Sequence, residues 1–254
     1  MSGATAAVTR RVEQVMGMPI SLALRGRHAD DATGEHAWQE TLAELRWVDE
    51  VFSTWRADSQ VSRLGSGEIA LDECHPAVAE VLRLGDDARF ASNGAFDVCL
   101  PGPDGVRRLD PSGVVKGWAV DRAVAPLLAL PGTDVCLSAG GDLVCHVADP
   151  EGEAWVIGIE HPLDPTRLVA RVSVRRGAVA TSGSAHRGAH VVDARTGHAQ
   201  EVIASVTVIG ADLTSVDIDA TAALALDQDG PDWLRARLRT GLVVWADGRA
   251  EIVA

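Results

Sequence analysis

The sequence predicts an α+β protein with packed helices and a largely antiparallel sheet. Apolar residues recur at helical spacing in the first half of the 254-residue chain, whereas the second half breaks into short β-branched runs. An apolar content of 46% is enough to bury a large core. We therefore expect residues 1–254 to form a single domain, either as one body or as two intimately joined lobes.

The helices and strands can be placed by spacing and by turn residues. Apolar residues three or four apart indicate a helix, proline suits the first turn of one, and β-branched runs indicate strands. The predicted helices are residues 35–55, a segment after His75-Pro76 with Val78, Val81, Leu82 and Phe90, a segment from around Gly117 to Pro131-Gly132, Ala220–Leu226 and Trp233–Leu238. The predicted strands are Asp134–Leu137, Trp155–Ile159, Leu168–Val174, Ala189–Val192, Val202–Ile209 and Leu242–Trp245.

Composition narrows the classes of partner. A net charge of -13 disfavours nucleic acid as a partner, because phosphate backbones would be repelled. The N-terminal residues lack the apolar stretch of an export signal, and no window approaches the roughly 20 apolar residues of a membrane-spanning helix. The four cysteines, Cys74, Cys99, Cys136 and Cys145, form no C-x-x-C pair and favour buried free thiols in a reducing compartment. We expect a cytoplasmic protein without a membrane anchor.

Lys116 is the first candidate for chemistry. It follows a Pro-Ser-Gly turn at the start of the third predicted helix, where backbone N–H groups and an ammonium could hold a phosphate. The segment is not a Walker loop, which requires a different glycine spacing. The alternative is a surface lysine, although its charge would oppose the helix dipole.

Two glycine-containing segments are less specific. The string Ser138-Ala-Gly-Gly-Asp142 follows a predicted strand and suits either a plain hairpin or a close approach of backbone to a ligand. Residues 179–183 are expected to form a hydroxyl-rich loop that leads towards His190. That histidine is either a hydrogen-bonded structural residue or a catalytic one. Asp193 and Gly197 should respectively cap and close the next turn.

Asp217 and Thr221 form a candidate pair of metal ligands. They are four residues apart, so in a helix they share one face and present two oxygens one turn apart. Mg²⁺ prefers oxygen ligands, and a backbone carbonyl with substrate phosphate would complete its shell. The alternative is a capping aspartate with a packed threonine. Asp219 should point elsewhere.

In combination and in order, these strings resemble the ApbE family of FAD:protein FMN transferases. Few unrelated folds would reproduce all of these strings in the same order along the chain. The matching segments are residues 15–19, 52–64, 93–97, 115–121, 138–142, 155–162, 181–183, 190–193, 195–197 and 216–221.

The resemblance implies a T-fold-like core and a role for each matched residue. His190 would be the catalytic base and Lys116 a catalytic cation. Mg²⁺ would be held by the Gly113 carbonyl and by the side chains of Asp217 and Thr221. FAD would be the substrate, bound by Met16, Trp55, Ala95, Phe96, Asp97, Asp110, Lys116 and Val191.

The implied reaction splits the FAD pyrophosphate, attaches FMN through its phosphate to a threonine or serine hydroxyl of a target flavoprotein, and releases AMP. Water in place of that hydroxyl would give an FAD pyrophosphatase, and a non-catalytic FAD-binding protein is a third possibility. Five positions depart from the family pattern, which usually has tyrosine at Trp55, asparagine at Gly65, alanine at Gly113, asparagine at Ser138 and proline at Ala194. These departures concern acceptor choice more than binding of FAD or metal.

Overall fold

A computed structural model describes residues 7–102, 104–183 and 191–254, and the predicted α+β class is confirmed. The helices within these ranges are α1 (Ala32–Phe52), α2 (Gln60–Gly65), α3 (Pro76–Ala91), α4 (Ser112–Ala123), α5 (Ala125–Leu128), α6 (Leu213–Ala225) and α7 (Gly230–Ala236). The strands are β1 (Val8–Val15), β2 (Met18–Gly26), β3 (Cys99–Pro101), β4 (Arg107–Leu109), β5 (Thr133–Ala139), β6 (Asp142–His146), β7 (Trp155–His161), β8 (Asp164–Val174), β9 (Arg176–Gly183), β10 (Ile203–Gly210), β11 (Thr240–Trp245) and β12 (Ala250–Val253).

An antiparallel sheet of eight strands forms the body of the fold. Its order is β1-β2-β5-β6-β9-β10-β11-β12, and every neighbouring pair is antiparallel. Two further hairpins, β3–β4 and β7–β8, lie outside this sheet. Helix α6 packs on β9 and β10, and α4 packs on α6. A smaller apolar cluster places Trp155 and Val174 of β7–β8 against Leu143 and Val179 of the sheet.

Helix α1 shows how the sequence builds one wall of the core. Asp31 caps its start by accepting a hydrogen bond from the Gly34 N–H at 2.9 Å. The apolar face from Trp38 to Phe52 is buried, as its spacing predicts. The helix ends at Phe52, so Trp55 lies beyond it and is 96% exposed.

Three predicted helical features are wrong in detail. The third helix begins at Ser112 rather than around Gly117, because the Pro-Ser-Gly segment forms its first turn. It does not continue to Pro131, since α4 ends at Ala123 and Pro126, in the first turn of the short α5, lacks the N–H that a continuous helix would need. On α3, Phe90 is 91% exposed and lies off the buried face.

Several strands were not apparent from the sequence. In β1 most side chains are polar, and Arg10 and Arg11 interrupt the alternation expected of a strand. The predicted hydroxyl-rich loop at residues 179–183 is the end of β9, where small residues hide the strand pattern. The predicted strand ending at Val192 is reduced, in its described part, to one isolated bridge with Ala199. The cysteines are free, but only Cys145 is fully buried.

Candidate active site

A cavity of about 510 Å³ lies where the helices, the sheet and the β7–β8 hairpin meet. This volume is in the usual range for small-molecule and cofactor sites. The cavity brings together residues that are far apart in the chain. Those that sequence reasoning selected and that line it are Met16, Trp55, Ala95, Phe96, Asp97, Asp110, Gly113, Lys116, Val191, Asp217 and Thr221. The predicted base, His190, falls outside the described residues.

Met16 enters the cavity from a strained turn. It lies in the two-residue connection between β1 and β2, with a positive φ of 55° followed by Gly17 at 69°. Two positive φ values suit a tight hairpin, but a methionine is an unusual residue at the first of them. Such strain typically costs on the order of 1 kcal/mol and is often kept at binding sites.

Helices α4 and α6 cross with almost no space between them at Gly117. A Cβ added to Gly117 would lie 2.7 Å from the Leu213 carbonyl oxygen and 3.0 Å from the Asp217 Cβ. The Gly117 N–H donates to Asp217 Oδ2 at 3.0 Å. One turn further on α4, Asp121 caps α6 by accepting from the N–H groups of Leu213 and Thr214. The crossing therefore fixes the position of Asp217 relative to α4.

Replacing Gly117 by alanine should destabilise the protein, because the added methyl would push α4 away from α6. We expect the free energy of unfolding in urea to fall by about 2 kcal/mol, the usual size of an overpacking effect. Gly65→Ala is the matched control, since a Cβ at Gly65 meets only the Leu109 Cβ at 3.4 Å. Equal stability of the two variants would contradict the close crossing.

Lys116 lies between two buried carboxylates. Its Nζ is 3.1 Å from Asp217 Oδ1 and forms a second, closer ion pair with Asp142 Oδ2. Both aspartates are 1% exposed. Burial disfavours the charged form of Lys116, but the attraction of Asp217 and Asp142 outweighs it and raises the lysine pKa above its ordinary value. Burial raises the pKa of Asp217 to about 7, against the attraction of Lys116.

The sequence predicts Lys116 at the start of a helix, and this prediction is wrong. Lys116 is in the second turn of α4, and the Ser112 N–H at the true helix start donates to Asp110 Oδ1 at 3.1 Å. Asp142 was missed as a site residue because a Gly-Gly-Asp turn is also an ordinary hairpin. One signal could have drawn attention to this centre: among 23 lysines and arginines, Lys116 is the only lysine in the chain.

Asp217 and Thr221 share one face of α6, as their spacing predicts, and both line the cavity. The Thr221 hydroxyl is hydrogen-bonded to the Ser182 hydroxyl at 2.8 Å. Gly113 lies next to Thr221, because a Cβ placed on it would be 3.7 Å from the Thr221 methyl group. Asp219 points elsewhere and pairs with Arg237 at 3.0 Å and with Arg239.

These groups offer oxygen donors suited to a hard cation. The described residues contain no cluster of three or more His, Cys, Asp or Glu side chains that could hold a metal. The donor set is instead one carboxylate, one hydroxyl and one carbonyl, which is chemistry that Mg²⁺ accepts. The Gly117 N–H would bond only to the Gly113 carbonyl in a regular helix, but it also reaches Asp217. Sharing this donor leaves the carbonyl more available to a cation.

The loop at residues 95–97 is held by arginines. Asp97 pairs with Arg107 at 2.7 Å and with Arg89 at 3.2 Å, and it accepts from the Cys99 N–H at 2.8 Å. Arg107 also donates to the Ala194 carbonyl at 3.1 Å. These contacts give Asp97 a fixed orientation at the cavity wall.

The turn after Val191 docks on the same loop. The Ala194 N–H donates to the Ala95 carbonyl at 3.0 Å. Within the turn, Asp193 Oδ1 accepts from the Arg195 N–H, and the Gly197 N–H donates to the Asp193 carbonyl at 2.7 Å. The predicted turn, capped by Asp193 and closed by Gly197, is thus confirmed.

A model of the ApbE family matches residues 16–103 and 101–244 of this sequence. These two segments together span most of the chain and contain every residue of the cavity wall selected above. The chain belongs to the ApbE family. Among the described residues of this ApbE family member, no helix is long and apolar enough to cross a membrane.

Named relatives and solved structures agree with ApbE membership. A Haemophilus influenzae protein named FAD:protein FMN transferase is 23% identical over 288 residues, which cover 86% of this chain and 82% of that protein. A Rhodobacter capsulatus protein of the same name is 31% identical over 67% of this chain, but the match spans only 42% of its own length. The crystal structure of Pseudomonas stutzeri flavinyl transferase ApbE in its apo form superposes with a TM-score of 0.82 at 23% identity, covering 100% of this chain and 97% of that one. Flavin transferase ApbE from Vibrio cholerae also gives 0.82, at 20% identity and 98% coverage of both chains.

Proposed function

We propose that this protein transfers FMN from FAD to the hydroxyl of a threonine or serine on a target protein, with release of AMP. The observation that carries the proposal is the shared cavity. It joins Lys116, Asp217 and Thr221 to the residues for which the family resemblance implies contact with FAD. Family membership and the names of the relatives support the same reaction.

The polar end of the cavity is suited to a pyrophosphate. Lys116 supplies a positive charge, since its ion pairs with Asp217 and Asp142 favour the protonated ammonium. The Gly113 carbonyl, the Asp217 carboxylate and the Thr221 hydroxyl would hold Mg²⁺. When bound there, Mg²⁺ supplies positive charge that stabilises the phosphate oxygens of the transition state. His190 would accept the proton of the incoming hydroxyl, for which an imidazole is well suited.

The same groups would serve water as the acceptor, so FAD hydrolysis is the competing activity. The protein should be incubated with FAD and Mg²⁺, with and without a peptide that carries an acceptor threonine. AMP release together with an FMN-sized mass gain on the peptide supports transfer. AMP and free FMN without a mass gain support hydrolysis, and FAD binding without cleavage supports a binding protein.

Trp55 should contribute to FAD affinity but not to folding. Its ring is 96% exposed at the cavity, where it can stack on a flavin or adenine. Base stacking on aromatic side chains is worth roughly 1–3 kcal/mol, so Trp55→Ala should weaken FAD binding about tenfold or more by calorimetry. Trp55→Tyr should keep most of the affinity, because the phenol ring still offers a stacking face.

Phe90 provides the matched control for Trp55. It is 91% exposed but does not line the cavity, so Phe90→Ala should bind FAD like the parent protein. If both alanine variants lose affinity equally, the effect is not stacking at the cavity. If neither loses affinity, Trp55 is not part of the FAD site.

A further inference from the structure

We propose that Lys116 is a resident counter-cation at the metal-binding carboxylate Asp217, and that Asp142 is the positioning residue that retains its ammonium when a divalent cation binds. The inference rests on the proposed function in one respect, namely that Asp217 is a metal ligand. It goes further by assigning a role to Asp142 and by linking Lys116 to metal affinity. Both assignments, the role of Asp142 and the effect of Lys116 on metal affinity, can be tested without FAD.

The two oxygens of Asp217 have different partners. Oδ2 accepts a hydrogen bond from the Gly117 N–H at 3.0 Å, and this hydrogen bond joins α6 to α4 where the two helices cross. Oδ1 has Lys116 Nζ at 3.1 Å and is the oxygen left to bind a cation. A divalent cation and an ammonium on one oxygen would repel each other strongly in a buried site. Lys116 must therefore leave Asp217 when a divalent cation binds there.

Asp142 offers the ammonium a second partner that is fixed in place. Its Oδ1 accepts the Thr181 N–H at 2.8 Å, so the side chain is anchored to β9. Its Oδ2 faces Lys116 and has no hydrogen bond to any other described residue. A buried carboxylate oxygen satisfied only by one lysine has a strong preference for that lysine. Asp142 thus keeps the ammonium inside the cavity after it leaves Asp217.

The choice of lysine at this position fits such a movement. The chain uses arginine at every other cationic position, and Lys116 is its only lysine. A lysine carries a compact charge on a flexible four-carbon stem, whereas the planar arginine fork favours one fixed geometry. Lys116 lines the cavity and its side chain is 21% exposed, whereas the side chains of its two partners are 1% exposed.

Binding of Mn²⁺ in the absence of FAD tests the proposal. Free Mn²⁺ can be measured by electron paramagnetic resonance at about pH 8, where unperturbed carboxyl groups are ionised. Lys116→Gln should bind Mn²⁺ about tenfold more tightly than the parent protein, because the competing ammonium is gone. Its melting temperature should be lower without metal and should rise more on adding Mn²⁺. A merely structural role for Lys116 would weaken binding, and unchanged or weaker binding would overturn the proposal.

The role of Asp142 is tested by comparing the effect of its substitution on Mn²⁺ binding in the presence and in the absence of Lys116. Asp142→Asn should weaken Mn²⁺ binding about tenfold, since the ammonium then has only Asp217 as a partner. In the Lys116→Gln background the same change should have a much smaller effect. An equal effect in both backgrounds would show that Asp142 acts only as a distant charge. Asp219→Asn is the matched control, because it removes a buried carboxylate from α6 that does not face Lys116.

The single lysine also allows a test that needs no variant. Growth on ¹³C-labelled lysine labels the Lys116 side chain alone and leaves its ammonium intact, so its signal can be followed by NMR. Addition of Mg²⁺ without FAD should shift the signal of the Lys116 Cε carbon. A Lys116 signal that stays unchanged at saturating Mg²⁺ would overturn the proposal. FAD cleavage measured on the same samples separates the outcomes, because a lysine–metal linkage without cleavage would reject only the proposed function.

Discussion

Asp217→Asn should reduce metal-dependent FAD cleavage about a thousandfold, which is the usual scale for losing the main electrostatic stabiliser of a transition state. The substitution preserves the shape of the side chain and can still accept the Gly117 N–H. It removes the negative charge that Lys116 faces at 3.1 Å and that a cation would require. The rate should be measured by AMP release at several Mg²⁺ concentrations.

Asp219→Asn is the control for this experiment. Asp219 lies two residues further along α6, is equally buried at 1% exposure, and pairs with Arg237 and Arg239 instead of facing the cavity. Both variants lose a buried charge, so both should melt at a lower temperature. Only Asp217→Asn should lose cleavage. Full activity in that variant would remove Asp217 from the metal site.

The sequence predicts the helical side of the site better than the sheet side. The spacing of Asp217 and Thr221 places them on one face of α6, because the helical period determines which side chains are neighbours. The apolar face of α1 is equally regular and is buried as expected. In both helices the local periodicity of the sequence is sufficient to predict which side chains share a face.

The contacts that were missed depend on pairing between distant segments. Asp142 meets Lys116 only because β6 lies beside β9 and α6 packs across them. The hairpin sequence that carries Asp142 is compatible with many surroundings, so local pattern cannot assign it a partner. The start of α4 was misplaced for a related reason, since Pro-Ser-Gly suits both a free turn and the first turn of a helix.

His190→Gly should slow both transfer and hydrolysis about a thousandfold, within the usual range for losing a general base. FAD affinity should stay near that of the parent protein, because the proposed role of the imidazole is to remove a proton from the acceptor. Added imidazole should restore part of the rate, since a glycine leaves space for a free base. Rates with the acceptor peptide and with water should fall together if both acceptors use this histidine.

His161 is the alternative base against which this prediction must be tested. It lines the same cavity from β7, and its Nδ1 accepts the Leu163 N–H at 3.2 Å. Because that hydrogen bond occupies one ring nitrogen, only Nε2 is left to accept a proton. If His190 is the base, His161→Gly should retain turnover and show no rescue by imidazole. If His161→Gly instead loses turnover and is rescued by imidazole while His190→Gly retains turnover, the base belongs to the β7–β8 hairpin rather than to the segment that leads into Val191.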